Sequence, residues 1–142
     1  MNSFSDLSAA DAPLESEQEI KEIFQPDSIQ NIINRLEASE TEFATKTKKM
    51  LQNMSPLALA VVFEQIVRGS QMNVREVFEM EYKISQGFMN HTEFFEGVRA
   101  LLVDKDKSPK WKYAKVADIP RSEVEFFFDR TEKCLLDIGQ DK

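Results

Sequence analysis

The sequence is poor in the residues from which most active sites are built. It contains one Cys, one His and 4 Gly among 142 residues. The single Cys134 excludes an internal disulfide, and with His91 as the only histidine a zinc site of Cys and His ligands is implausible. The sequence has no Gly-rich phosphate loop and no GxSxG nucleophile motif. We therefore expect no catalytic residue and no bound metal.

The chain also lacks an overall positive charge and long apolar runs. Its net charge is -7, so we expect neither nucleic acid nor an anionic membrane surface as a partner. No apolar run approaches the length that spans a membrane. The first cation is Lys21, which is unlike a mitochondrial transit peptide and predicts a cytosolic location if the chain is made as it stands.

With only 4 Gly, 5 Pro and no alternating run of β-branched residues, the sequence argues against a sheet. We predict an all-α fold of six or seven short amphipathic helices. Residues 1–14 hold little to bury and are predicted to form a flexible leader. The helical region is predicted to cover residues 15–137, and residues 138–142 a fraying tail.

Capping signals predict where the helices begin and end. The predicted starts are Asp27 or Ser28, Ser39 with Glu42, Ser55 with Pro56, Asn73 with Glu76, Thr92, and Ser122 with Glu125. Gly69 is predicted to end the fourth helix in a left-handed conformation. The fifth helix is predicted to end near Met89, and residues 104–117 to form a polar, irregular connection.

Apolar spacing predicts the buried face of each helix. The predicted faces include Ile29, Ile32, Ile33 and Leu36; Phe43, Thr47, Met50, Leu51 and Met54; Val74, Val77, Phe78, Ile84, Ser85 and Phe88; Phe95, Val98 and Leu102; and Val124, Phe127, Phe128 and Leu135. Glu81 and Arg99 fall within two of these faces and would meet as an ion pair if the fifth and sixth helices form a hairpin. We expect the other acids to be solvated, His91 to face solvent or cap a helix, and Cys134 to pack as a small core residue.

One segment departs from the acidic character of the chain. Residues 99–121 carry seven cations and three anions, a local net charge of +4. Three of these cations, Lys105, Lys107 and Lys110, follow directly on the sixth helix. They fit two interpretations, a solvated surface that complements the helix C-terminus or a binding site for a phosphorylated ligand beside Trp111. Charge alone leaves both open.

The same segment carries a family resemblance. The stretch from Glu96 to Lys105 reads EGVRALLVDK, which is similar to the form EGxxAhhxK with one more residue before the lysine. The longer pattern EGVRAxLxDKDxxPxW extends it to Trp111. Met54-Ser55-Pro56 and Met80-Glu81-Tyr82 precede it. With these motifs the sequence resembles the crotonase superfamily, and in particular its 3-hydroxyisobutyryl-CoA hydrolase branch, over about residues 20–128.

This resemblance implies a mitochondrial acyl-CoA thioester hydrolase of valine breakdown. In that family a spiral core of β-β-α units carries the catalytic groups, and no position of this chain matches it. The resemblance therefore implies a helical lid and CoA edge that is inactive alone, in which Lys105, Lys107 and Lys110 approach the phosphates of CoA. Coenzyme A would enter as part of the substrate, with no separate cofactor.

The resemblance also implies a docking partner. The fourth helix is apolar on most sides, and the chain contains 11 Phe, as expected if part of its surface packs on a crotonase-fold core or subunit. The alternative is a non-catalytic isoform that serves as an interaction module.

Overall fold

The structure is a computed structural model, and it describes residues 17–129. These residues form helices and connections without a strand, which confirms the all-α prediction. The α-helices are α1 (Glu17–Ile23), α2 (Ile29–Ala38), α3 (Glu42–Gln52), α4 (Pro56–Gly69), α5 (Val74–Met89), α6 (Thr92–Val98) and α7 (Arg121–Glu125). A π-helical segment, Arg99–Val103, continues α6, and a 3-10 turn covers Val116–Asp118. The predicted leader, the tail, Cys134 and Leu135 lie outside the described residues.

The chain divides into two compact units, Met1–Lys48 and Lys49–Lys142. In the first unit, Ile32 and Leu36 of α2 are buried, as their spacing predicts. Ser28 caps α2 as predicted, because its hydroxyl accepts a hydrogen bond from Asn31 N at 3.0 Å. Arg35 donates to the Ile23 carbonyl at 2.9 Å and so ties α2 to the end of α1.

The start of α3 differs from the prediction. Thr41, and not Ser39, accepts a hydrogen bond from a first-turn amide, that of Ala44 at 3.1 Å. Ser39 instead ends α2, where its amide donates to the Arg35 carbonyl. The predicted cap is wrong because two hydroxyls stand two residues apart and only the second immediately precedes the helix.

The second unit begins with Ser55 and Pro56, which start α4 as predicted. Leu57 and Val61 are 0% exposed and form the centre of its core, whereas Ile66 on another side of α4 is 67% exposed. The prediction for Gly69 is wrong, because no glycine has a positive φ in the part of the chain that the structure describes. The chain leaves α4 through a right-handed turn in which Met72 N donates to the Gly69 carbonyl at 3.1 Å.

Helix α5 has the predicted bounds but a different buried face. Asn73 and Glu76 form the capping box, with each side chain bonded to the other's amide. The buried positions are Met80, Ile84 and Gly87. Val74 and Phe78, which were predicted to be buried, are 73% and 47% exposed. The error arises because the first turn and a half of α5 is largely exposed, and its buried positions begin only at Met80.

Helix α6 begins at Thr92, but His91 is its cap: the imidazole Nδ1 accepts from Glu93 N at 3.3 Å. The predicted cap at Thr92 is wrong by one residue, and the predicted capping role of His91 is confirmed. The predicted apolar face is also wrong. Phe95 and Leu102 are 54% and 68% exposed, while Glu93 and Ala100 of the same helical stretch are buried.

The predicted ion pair between Glu81 and Arg99 does not form. Glu81 is exposed and accepts a hydrogen bond from Gln65 at 3.1 Å. Arg99 bonds instead to carboxylates close to it in sequence, beginning with Glu96. Arg99 pairs with Glu96 because a side chain three positions away on a helix already lies within reach.

Helix α7 closes the second unit. It begins at Arg121, one residue before the predicted cap, and Ser122 does not cap it. Arg68 of α4 donates to both carboxylate oxygens of Glu125 and lies 4.2 Å from the centre of the Phe128 ring. Val124, Phe127 and Phe128 are buried, as predicted.

Candidate CoA-edge site

The segment that follows α6 is organised around one guanidinium, that of Arg99. Its Nη1 donates to Asp104 and to Asp106, both at 2.6 Å. Its Nε and Nη2 donate to the two carboxylate oxygens of Glu96 at 2.8 and 2.7 Å. A weaker contact of 3.3 Å reaches the Ser108 carbonyl. A single side chain thus joins the end of α6 to most of the loop that follows.

Glu96 completes this arrangement from the other side. Its Oε1, already bonded to Arg99, also accepts from the backbone amide of Lys110 at 2.6 Å. The hydrogen bonds from Arg99 and from this amide lower the pKa of Glu96 to about 2. The carboxylates of Glu96, Asp106 and Asp104 in turn raise the pKa of Arg99. Glu96 and Arg99 are therefore both charged at neutral pH.

The three predicted ligand residues lie on this loop with exposed side chains. Lys105 and Lys107 have left-handed backbones, with φ of 56° and 54°, a conformation that residues other than glycine seldom adopt. The Lys107 amide donates to the Ala100 carbonyl at 3.0 Å and fixes the turn. Within residues 17–129, the ion pairs of Lys side chains are formed by Lys21, Lys46 and Lys112. The ammonium groups of Lys105, Lys107 and Lys110 thus form no ion pair there.

Trp111 lies at the other end of the loop, against α6. A Cβ added at Gly97 would stand 3.3 Å from the indole Cη2, so the absence of a side chain at Gly97 allows this close approach. A cleft of about 550 Å³ opens beside the indole. Lys107 and Leu101 also line it. The cleft therefore combines an aromatic ring, an aliphatic side chain and a cation that forms no ion pair in the part of the chain that the structure describes.

The buried carboxylate of Glu93 holds the end of the loop by a hydrogen bond. It is 4% exposed, and its Oε1 accepts from the Lys112 amide at 2.7 Å. Its Oε2 accepts from the Ser55 hydroxyl, which also accepts from Ala58 N as the cap of α4. The expectation that such acids are solvated is wrong for Glu93. Its position in the first turn of α6 suggested a surface role, and only the fold reveals its burial.

Lys112, just past the loop, is already engaged. Its ammonium donates to Glu123, whose Oε1 also lies 3.2 Å from His91 Nε2. The hydrogen bond to Glu123 raises the pKa of Lys112, and the hydrogen bond from Lys112 lowers the pKa of Glu123. This pairing distinguishes Lys112 from Lys105, Lys107 and Lys110, which form no ion pair within residues 17–129, and Glu123 is also a partner of His91.

Exposed ammonium groups and an indole are groups that suit an anionic ligand with an apolar part. Among the described residues, no group of three or more His, Cys, Asp or Glu side chains could hold a metal ion.

Across residues 17–129, no single helix is long and apolar enough to cross a membrane, although α3 and α4 reach that length and composition as a bent pair.

Comparison with known proteins places this loop in a family. The model of the family described as enoyl-CoA hydratase/isomerase matches residues 1–128. The chain belongs to the enoyl-CoA hydratase/isomerase family. The predicted membership of the crotonase superfamily is thereby confirmed.

Curated relatives are named mitochondrial 3-hydroxyisobutyryl-CoA hydrolase. The protein from Danio rerio is 40% identical over 84% of this chain and 31% of its own length. The protein from Dictyostelium discoideum is 44% identical over 78% of this chain and 29% of its own length. The chain thus spans about a third of the length of these relatives.

Solved structures of the family have the same fold over the matched region. An enoyl-CoA hydratase from Rhodobacter sphaeroides 2.4.1 gives a TM-score of 0.76 at 32% identity, over 82% of this chain and 34% of that one. A carnitinyl-CoA dehydratase from Mycobacterium thermoresistibile gives a TM-score of 0.79 at 28% identity, over 89% of this chain and 36% of that one. The helices described above therefore form a portion of this family's fold.

Proposed function

We propose that this chain is the helical CoA edge and lid of an acyl-CoA thioester hydrolase of the 3-hydroxyisobutyryl-CoA hydrolase type. The observation that carries the proposal is the loop from Lys105 to Trp111. Its three lysines are exposed and form no ion pair among the described residues, and one of them, Lys107, lines the cleft beside the indole. Phosphate groups suit such cations, and an aromatic plate suits the apolar parts of the same ligand. The names of the relatives support CoA as that ligand.

Hydrolysis of the thioester requires a general base to activate water and donors to stabilise the thioester oxygen as it becomes negative. The bond from the acyl carbon to sulfur breaks, and the products are the hydroxy acid and the CoA thiol. The resembled family holds these groups in its spiral core. We therefore propose that the 142-residue chain alone does not hydrolyse acyl-CoA.

Release of free thiol from 3-hydroxyisobutyryl-CoA tests this proposal. We expect a longer family member to release thiol and the purified 142-residue chain to release none above the buffer rate. Turnover by the short chain would contradict the proposal that its catalytic groups lie elsewhere. Absence of turnover by the longer protein under the same conditions would contradict the proposed substrate.

The CoA contact has its own test in the fluorescence of Trp111, which is the only Trp of the chain. We expect CoA to change this emission in a saturable manner, with weaker binding in Lys105→Ala. Lys115→Ala is the matched control, because it removes an exposed cation from outside the loop. Unchanged emission at millimolar CoA, or equal losses in the two variants, would contradict a phosphate contact at Lys105.

A second candidate function is that of a non-catalytic interaction module that docks on a crotonase-fold core or subunit. The observation that favours it is a row of exposed apolar side chains on α6 and the π-helical segment. These are Phe94, Phe95, Leu101, Leu102 and Val103. Co-elution with a longer family member in size-exclusion chromatography, lost in Leu102→Ser, would support the module. Separate elution of the two proteins would count against it.

The relatives are named mitochondrial, and a mitochondrial location is part of the proposed function when these helices work with the rest of such an enzyme. The cytosolic location predicted for the chain as it stands remains a prediction. Fractionation of cells that express the 142 residues, with an antibody to the chain, decides between the two compartments.

A further inference from the structure

The stretch from Asp104 to Lys107 alternates in charge, so as a sequence it is neutral and a poor anion site. In the structure its charges are separated. Asp104 and Asp106 each contact the same nitrogen of Arg99, whereas Lys105 and Lys107 are exposed and form no ion pair among the described residues. The left-handed backbones of the two lysines, with φ of 56° and 54°, accompany this separation.

We propose that Arg99 is a positioning residue that makes the loop an anion site by keeping Asp104 and Asp106 away from Lys105 and Lys107. Arg99 itself would not touch the ligand, because its guanidinium is already bonded to three carboxylates. The inference rests on the proposed CoA contact. It adds the reason why a stretch of zero net charge can bind phosphate.

The physical argument concerns competition for the lysines. A phosphate contact at a solvent-exposed lysine is weak, and a neighbouring carboxylate competes for the same ammonium. Asp104 and Asp106 are the immediate chain neighbours of Lys105 and Lys107. With Arg99 present, the planar guanidinium, which suits several carboxylates at once, binds both aspartates and leaves the ammonium groups free. Without it, the released aspartates neutralise the lysines.

A merely structural role for Arg99 makes a different prediction. If Arg99 only maintained the shape of the loop, its loss would weaken anion binding whatever the charge of residues 104 and 106. If Arg99 acts by separating charges, removal of the two negative charges should restore the site in its absence. A triple variant therefore distinguishes the two roles.

The test measures binding of CoA and, independently, of inorganic pyrophosphate to the full 142-residue chain by calorimetry at low ionic strength. We expect Arg99→Gln to weaken both by about fivefold, the scale of an exposed charge contact. The triple variant Arg99→Gln, Asp104→Asn, Asp106→Asn should return to within about twofold of the wild type. Arg75→Gln is the matched control, because Arg75 forms an exposed pair with Glu79 on α5, and it should bind as the wild type does.

The outcomes separate this inference from the proposed function. Wild-type affinity in Arg99→Gln, or a triple variant as weak as the single one, would overturn the positioning role of Arg99. Binding of pyrophosphate but not CoA to the wild-type chain would overturn the proposed CoA contact, and the pyrophosphate series would then still test Arg99. Binding of neither ligand to the wild type would overturn both.

Discussion

The buried carboxylate of Glu93 accepts a hydrogen bond from the hydroxyl of Ser55, the residue that caps α4. The other oxygen of Glu93 accepts from the Lys112 amide. One side chain in the first turn of α6 thus connects the start of α4 to the chain just beyond the lysine loop. The loop is therefore anchored at Glu93 as well as at Arg99.

Replacement of Glu93 should destabilise this junction. Glu93→Ala would remove the acceptor of the buried Ser55 hydroxyl and of the half-buried Lys112 amide. An unsatisfied buried donor costs about 1–3 kcal/mol, and the Lys112 amide should cost less. We expect the free energy of unfolding, measured by urea denaturation, to fall by about 2–4 kcal/mol. Glu79→Ala, which removes an exposed ion pair on α5, should cost less than about 1 kcal/mol. Equal losses in the two variants would contradict the structural role of Glu93.

Substitution by alanine should have different effects on stability at two helical glycines, Gly87 and Gly69. A Cβ at Gly87 would stand 2.6 Å from the ring of Phe127, which is 0% exposed. Since that ring has no free space, we expect Gly87→Ala to lower the free energy of unfolding by about 1–3 kcal/mol. A Cβ at Gly69 meets Met80 Cε at 3.6 Å, an ordinary contact.

Gly69→Ala is the control for this prediction, and it should be neutral or stabilising by up to about 1 kcal/mol, because alanine loses less backbone entropy in a helix. The melting temperatures of the two variants, measured by circular dichroism, give the comparison. A Gly87→Ala protein as stable as Gly69→Ala would contradict the close packing of Phe127 on α5.

The ion pair between Arg99 and Glu96 should be lost at low pH. The pKa of Glu96 is lowered from 4.5 to about 2 by its bonds to Arg99 and to the Lys110 amide. A lowered pKa in the folded state means that the contribution of Glu96 to stability is complete above about 4.5 and is lost as the pH falls through about 2. Carboxyl titration by NMR should give this low value in the wild type and a higher pKa in Arg99→Gln, where only the Lys110 amide still lowers it. A normal Glu96 pKa in the wild type would refute the pairing.

The position of the core is tested by two leucines. Leu57 is 0% exposed and Leu102 is 68% exposed. We expect Leu57→Ala to cost about 2–5 kcal/mol, from lost burial and the cavity that remains. Leu102→Ala should change the free energy of unfolding by less than about 0.5 kcal/mol. A large loss of unfolding free energy in Leu102→Ala would show that the Leu102 side of the π-helical segment is buried in solution.

Some features that depend on neighbours in the chain could be predicted from the sequence, although the local caps predicted at Ser39, Thr92 and Ser122 are wrong. The capping box of Asn73 and Glu76, the cap at Ser28 and the start of α4 at Pro56 all formed where the pattern indicated them. Their partners are one to three residues apart, so the local sequence contains the whole interaction. The helical class and the lysine loop after α6 follow from the same kind of local signal.

The buried faces were less predictable, because amphipathic spacing identifies an apolar side but not what covers it. Phe95 and Leu102 lie on a regular apolar stripe and are nonetheless exposed, while Glu93, a charged residue, is buried. Glu81 and Arg99 do not pair, because Glu81 accepts a hydrogen bond from Gln65 of α4 and Arg99 binds Glu96, three residues away.

The sequence by itself determined the helices, the family and the presence of Lys105, Lys107 and Lys110 at the end of α6. Only the tertiary structure decided which charged side chains around this loop form ion pairs with one another. Asp104 and Asp106 form ion pairs with Arg99, and Lys112 forms one with Glu123. Charge pairing depends on distances of a few ångströms between side chains, and these distances are set when α6, the loop and α7 pack together rather than by the order of residues.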